Sequence, residues 1–105
     1  MKYTVLRTDT FEKHLILILT YLSQTYSKKI ANDYLDYLES QLKVLEDFPY
    51  MWPCDERKQF SNHRILISDK NIVFYQIDET KKQVICEIIT SSDENYLSLK
   101  WWKTG

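Results

Sequence analysis

The spacing of apolar residues changes character at Pro49, and this change constrains the fold more than any other feature of the sequence. Before it, Phe11, Leu15, Ile18, Leu19 and Leu22 recur at intervals of three and four, and so do Ala31, Tyr34, Leu35, Leu38, Leu42 and Leu45. Those intervals place each series along one face of a helix, and each face then has to be buried. After it, His63 to Ser68, Ile72 to Asp78 and Gln83 to Thr90 are short, β-branched and aromatic. They are parted by Asp69-Lys70-Asn71 and by Glu79-Thr80-Lys81-Lys82, turns short enough for hairpins. The pattern predicts an α+β domain in which two helices pack on an antiparallel β-meander.

The boundaries follow from local chemistry. Asp9, with Glu12 three residues later, has the form of a helix cap and its reciprocal partner. Ser23 to Ser27 supplies a polar connection of about five residues, and Ser27 caps the second helix. A proline pushes the residue before it out of the α region, so Pro49 is expected to end that helix. Two long helices so joined fold back as an antiparallel hairpin. Lys2 to Arg7 alternates, with Tyr3 and Val5 on one face, and predicts an N-terminal strand. Tyr50 to Ser61 is an irregular connector carrying the charged run Asp55-Glu56-Arg57-Lys58. Ser92 or Asp93 can cap a short C-terminal helix bearing Tyr96, Leu97, Leu99 and Trp101. Without repeats or a linker, residues 1–105 are expected to form a single domain.

Composition removes several functions. The only glycine is Gly105, so no loop can bring bare backbone against phosphate as nucleotide-binding cradles do. Fifteen acidic residues against fourteen basic ones leave a net charge of -1, without the basic excess usual for proteins whose main partner is nucleic acid. No apolar run approaches the roughly 18–20 residues that span a bilayer, so no membrane association is expected. Cys54 and Cys86 are 32 residues apart and form no metal-ligand spacing with His14 and His63. Two reduced thiols in a cytoplasmic protein, with no metal and no cofactor, is the expectation.

The order strand, helical hairpin, irregular loop, three-stranded meander and terminal helix resembles the RelE/ParE superfamily, the toxins of bacterial type II toxin–antitoxin modules. Tyr21 to Pro49 is similar to the family's second helix and its approach, with Ala31, Tyr34, Leu38 and Leu45 followed by Phe48-Pro49. His63-Arg64 and the run from Asn71 to Glu79 are similar to its second and third strands. The resemblance implies a growth inhibitor neutralised by a cognate antitoxin, with a higher-order toxin–antitoxin complex as the expected assembly. One branch of the family cleaves messenger RNA on the ribosome; another poisons DNA gyrase without nuclease activity.

Metal-free cleavage of RNA needs a base, an acid and a cation for the charge that builds on phosphate. The arginine that nuclease members carry before the third strand's apolar–tyrosine run is matched here by Ile72. Their cationic or imidazole groups at the end of the last strand are matched by Thr90-Ser91-Ser92-Asp93. The expectation is therefore a ParE-like, gyrase-directed and non-nucleolytic toxin. The alternatives are a ribosome-dependent mRNA interferase of the RelE type and a degenerate toxin fold that only binds. Weak catalytic candidates are Glu56, His63, Arg64 and Tyr96. Arg57, Lys58 and Arg64 are candidate target or phosphate contacts. Tyr75, Trp101 and Trp102 are candidates for binding the antitoxin, whose disordered segment is expected to fold across the sheet and terminal helix.

Overall fold

The structure is a computed structural model that describes residues 2–54 and 63–91. Strand β1 (Thr4–Arg7) leads into helices α1 (Asp9–Thr25) and α2 (Lys28–Val44). Strands β2 (Arg64–Ser68), β3 (Asn71–Asp78) and β4 (Gln83–Ser91) complete a four-stranded sheet of order β1-β4-β3-β2. The predicted meander is present: β2 and β3 pair antiparallel, as do β3 and β4. β1 adds to the far edge by pairing parallel with β4, Val5 opposite Val84 and Leu6 opposite Ile85. The expected C-terminal helix lies outside the described residues.

The helix ends differ from the sequence expectation in instructive ways. Thr8, not Asp9, is the N-cap of α1; its hydroxyl accepts from the Phe11 amide at 3.0 Å. Asp9 instead joins Glu12 as a first-turn acid facing the positive end of the helix dipole. α1 continues through the polar stretch to Thr25, so the hairpin connection is only Tyr26 and Ser27. Ser27 does cap α2, accepting from the Ile30 amide at 3.1 Å. α2 stops at Val44, well before Pro49, because Leu45, Glu46 and Asp47 tighten into i→i+3 bonds to Leu42, Lys43 and Val44.

One face of each helix meets one face of the sheet. Phe11 and Leu15 of α1 and Tyr34, Leu38, Leu42 and Leu45 of the α2 series pack on Leu66, Val73, Tyr75, Val84, Cys86 and Ile89. Tyr3 and Val5 pack at the margin of this core, the face the alternation assigned them. Cys86 is buried and Cys54 exposed, and neither forms a disulfide. Where the core meets polar groups it satisfies them: the Tyr34 hydroxyl donates to Ser68 Oγ at 3.1 Å.

A β-bulge interrupts the β3–β4 ladder. Phe74 pairs with Ile88 and Tyr75 with Cys86, leaving Glu87 as the extra residue. Thr8 holds it there. Its amide donates to the Cys86 carbonyl at 3.1 Å, and its hydroxyl donates to the Glu87 carbonyl at 2.8 Å. The residue that starts α1 thereby also fixes the place where β4 bends.

Candidate functional site

The sheet face turned away from the helices carries a second apolar group, Ile72 and Phe74 with Ile65 and Ile88 packed against them. Phe74 is 1% exposed and Ile72 7%. Thr90 stands directly across the ladder from Ile72. The two positions where the resemblance expects cations are therefore cross-strand neighbours, and one is apolar while the other is a neutral hydroxyl.

Beside this patch the bulge delivers Glu87 to the same side as Gln76. The His63 Nε2 contacts Glu87 Oε2, and Gln76 Nε2 donates to both Glu87 oxygens at 3.2 Å. Gln76 Nε2 also lies 3.1 Å from His63 Nε2. The Glu87 carboxylate and the Gln76 amide thus both hold the imidazole at Nε2. Neither Ile72 nor Thr90 next to it offers positive charge to a phosphate.

Arg64 is separated from His63 although the two are adjacent in sequence. Side chains alternate across a strand, and Arg64 pairs with the core residue Tyr75 in the ladder. Its Nη1 donates to the Trp52 carbonyl at 2.5 Å and, more weakly, to that of Tyr50 at 3.4 Å. The guanidinium also lies 4.8 Å from the centre of the Tyr50 ring. These bonds tie Arg64 Nη1 to the loop after α2.

Tyr75, named from the sequence as a candidate antitoxin contact, is fully buried in the core, and its hydroxyl donates to the Pro49 carbonyl at 2.7 Å. Burial pushes its pKa up to about 12. Glu56, Arg57, Lys58, Tyr96, Trp101 and Trp102 lie outside the described residues.

A neighbouring cluster surrounds Glu79 at the β3–β4 turn. Tyr3 and Tyr50 donate their hydroxyls to its carboxylate, and Lys82 Nζ lies 2.7 Å from Oε1. Lys82, followed by Tyr3, holds the Glu79 carboxyl below its ordinary range. This cluster links the N-terminus, the α2–β2 loop and the sheet.

An apolar groove of about 880 Å³ lies between α1, the start of α2 and the ends of the strands. Leu17, Tyr21, Tyr26 and Ile30 line one side; Asn71 and Ile89 to Ser91 line the other. Leu17 is 68% exposed there. Reading α1 for its buried stripe alone missed this second face. The signal was available: from Leu15 to Thr25 the helix contains no charged residue, whereas a helix with only one buried face keeps the other polar.

The comparisons with known proteins agree with this geometry. Residues 5–95 match the family model described as the ParE toxin of the type II toxin–antitoxin system, parDE. The chain belongs to the ParE toxin family. It is a toxin of the type II toxin–antitoxin class, as the sequence resemblance implied. Among solved structures, the chromosomal ParDE toxin–antitoxin system from P. aeruginosa superposes with a TM-score of 0.72 at 12% identity, covering 86% of this chain and 96% of that one. The RelBE2 toxin–antitoxin complex from Mycobacterium tuberculosis gives 0.60 at 15% identity, covering 87% and 99%. At these identities the structures establish a shared fold. No curated protein matches the chain.

Proposed function

We propose that this ParE-family toxin inhibits growth by acting on DNA gyrase and does not cleave RNA. The observation that carries the reading is Ile72, 7% exposed within an apolar patch, at the position the family resemblance gives to a nuclease arginine. Its cross-strand partner Thr90 is uncharged, and Arg64 Nη1 donates to the Tyr50 and Trp52 carbonyls. Without a cation, the charge that builds on phosphate during cleavage is left unstabilised, and removing one such stabilising donor costs about 10²–10³ in rate. Purified protein should inhibit supercoiling of plasmid DNA by gyrase and leave ribosome-bound messenger RNA intact. Codon-positioned cuts on ribosomes, with gyrase unaffected, would overturn the reading.

A cognate antitoxin is the second part of the proposal. The groove along α1 leaves Leu17, Tyr21 and Ile30 exposed to water as an apolar concavity. An amphipathic helix from the antitoxin, laid against Leu17, Tyr21 and Ile30, would cover it. The two superposed structures are both toxin–antitoxin systems, which supports a partner of this kind.

A further inference from the structure

Ile72 and Phe74 are buried on the sheet face that no described helix or strand stands against. Neighbours in the same sheet, Ile65 and Ile88 among them, shield the flanks of such side chains but not the side turned away from the sheet. The burial is also local. Ile67, directly across the ladder from Ile72, is 53% exposed, and Leu6 on the opposite edge strand is 40% exposed. Cover therefore lies along the two central strands, β4 and β3, and leaves both edges open. Strands are about 4.8 Å apart and a helix with its side chains is about 10 Å across, so one segment of chain has the width required.

The chain leaves the described sheet at the rim of this patch. Ser91 pairs with Asn71, and Thr90 before it stands opposite Ile72. Beyond Ser91 are fourteen residues, Ser92 to Gly105, among them Tyr96, Leu97, Leu99, Trp101 and Trp102. From Asn71 to Gln76 the strand runs about 17 Å at about 3.3 Å per residue. Fourteen residues reach about 21 Å even when coiled as an α-helix, enough to cross the whole patch. Residues 55–62 are placed less well, because they leave and rejoin the chain at the start of β2, where Cys54 bridges to Arg64, at the other end of the sheet from Ile72.

We propose that residues 92–105 form an intramolecular cover over the outer face of β4 and β3, with their tryptophans against Phe74 and Ile72. Aromatic side chains bury the most apolar area per residue, so this contact withdraws both surfaces from water together. The other apolar berth within reach is the α1 groove, which Thr90 and Ser91 also line. There Leu17 and Tyr21 stand exposed, whereas Phe74 and Ile72 do not. Accessibility thus separates the two faces: the groove is open to a partner chain, and the sheet face is filled. Covered in this way, Ile72 and Phe74 are interior residues of the free toxin. Neither nucleic acid nor a target protein reaches them without displacing the segment.

The cover concerns the chain alone and stands whether or not gyrase is the target. Trp52→Phe in the full-length chain leaves Trp101 and Trp102 as the only tryptophans. Their fluorescence should be blue-shifted, and several-fold less quenched by acrylamide in buffer than in urea. Equal quenching in the folded and unfolded chain overturns the cover. The double variant Trp101→Ala, Trp102→Ala should lower Tm by about 10 °C, as the loss of packed aromatic side chains does. Phe74→Leu should then lower Tm less in that background than in the parent, because side chains in contact do not contribute independently. Should the alanine variant fail to fold, the same comparison with Trp101→Phe, Trp102→Phe decides. Equal Phe74→Leu losses in both backgrounds place the tryptophans elsewhere and overturn the proposal. So does a loss shared with Leu17→Ala in the groove, or with Phe60→Ala, in place of Phe74.

Discussion

Tyr75 and Cys86 are cross-strand neighbours in the core, and both hold protons that an unfolded chain would release more readily. Burial raises Cys86 from its ordinary 9.0 to about 12, with the charge of Arg7 opposing weakly, and raises Tyr75 from 10.0 to about 12. Because each folded pKa lies above the unfolded one, the stability they contribute is complete below about pH 9 and is lost as pH rises toward 12. At about 1.36 kcal/mol per unit, Cys86 alone accounts for about 3–4 kcal/mol over that window. Urea unfolding from pH 8 to 11 should show that decline, and Cys86→Ala should flatten its lower half at a cost of roughly 1 kcal/mol at pH 7. Tyr75→Phe, which leaves the Pro49 carbonyl without its donor, should destabilise by about 1–3 kcal/mol at neutral pH in the same measurement. His63→Ala breaks the Glu87 contact but, on the proposed function, should leave growth inhibition unchanged when the protein is expressed. Loss of toxicity at normal protein levels would assign the imidazole a chemical role.

At the scale of elements, Thr8 joins three structures: the end of β1, the start of α1 and the bulge in β4. Thr8→Val keeps the shape and removes both hydroxyl bonds. The cap alone is worth about 1 kcal/mol, and the lost donor to Glu87 adds to it, so about 1–2 kcal/mol of destabilisation is expected from thermal or urea unfolding. Ser27→Ala removes only a cap and should cost less than Thr8→Val. The comparison measures how much of Thr8's contribution lies in the bulge. Local sequence showed the capping chemistry but assigned it one residue late. Asp9 and Thr8 are both capable acceptors, and the choice was made by the pairing of Thr8 with Cys86 and Glu87, 78 and 79 residues away in sequence.

For the whole molecule, the groove along α1 is the face proposed to hold the antitoxin. Leu17→Glu should weaken capture by the antitoxin, because a carboxylate would have to be buried in the groove without a partner. Co-purification and calorimetry would read that loss, with growth inhibition retained. A variant at Leu17 that lost toxicity but kept its antitoxin would overturn the assignment of the groove.

Period and local chemistry were enough to settle the two helices, the three-stranded meander and the residues of the core, because burying an apolar stripe leaves few arrangements open. The match of Ile72 and Thr90 to positions where nuclease members carry charge came instead from the family resemblance. Other features depended on contacts between residues far apart in the chain. The parallel pairing of β1 with β4 is one, since an edge strand's alternation is the same whichever neighbour it joins. The bulge at Glu87 is another, because a single inserted residue leaves no trace in hydrophobic period yet turns a carboxylate onto His63. The separation of His63 from Arg64 and the removal of Tyr75 from the surface follow from which sheet face meets the helices. The switch of apolar spacing at Pro49 thus determined what the chain builds. Tertiary structure decided which side chains are left to act, because exposure belongs to the packed assembly and not to any residue alone.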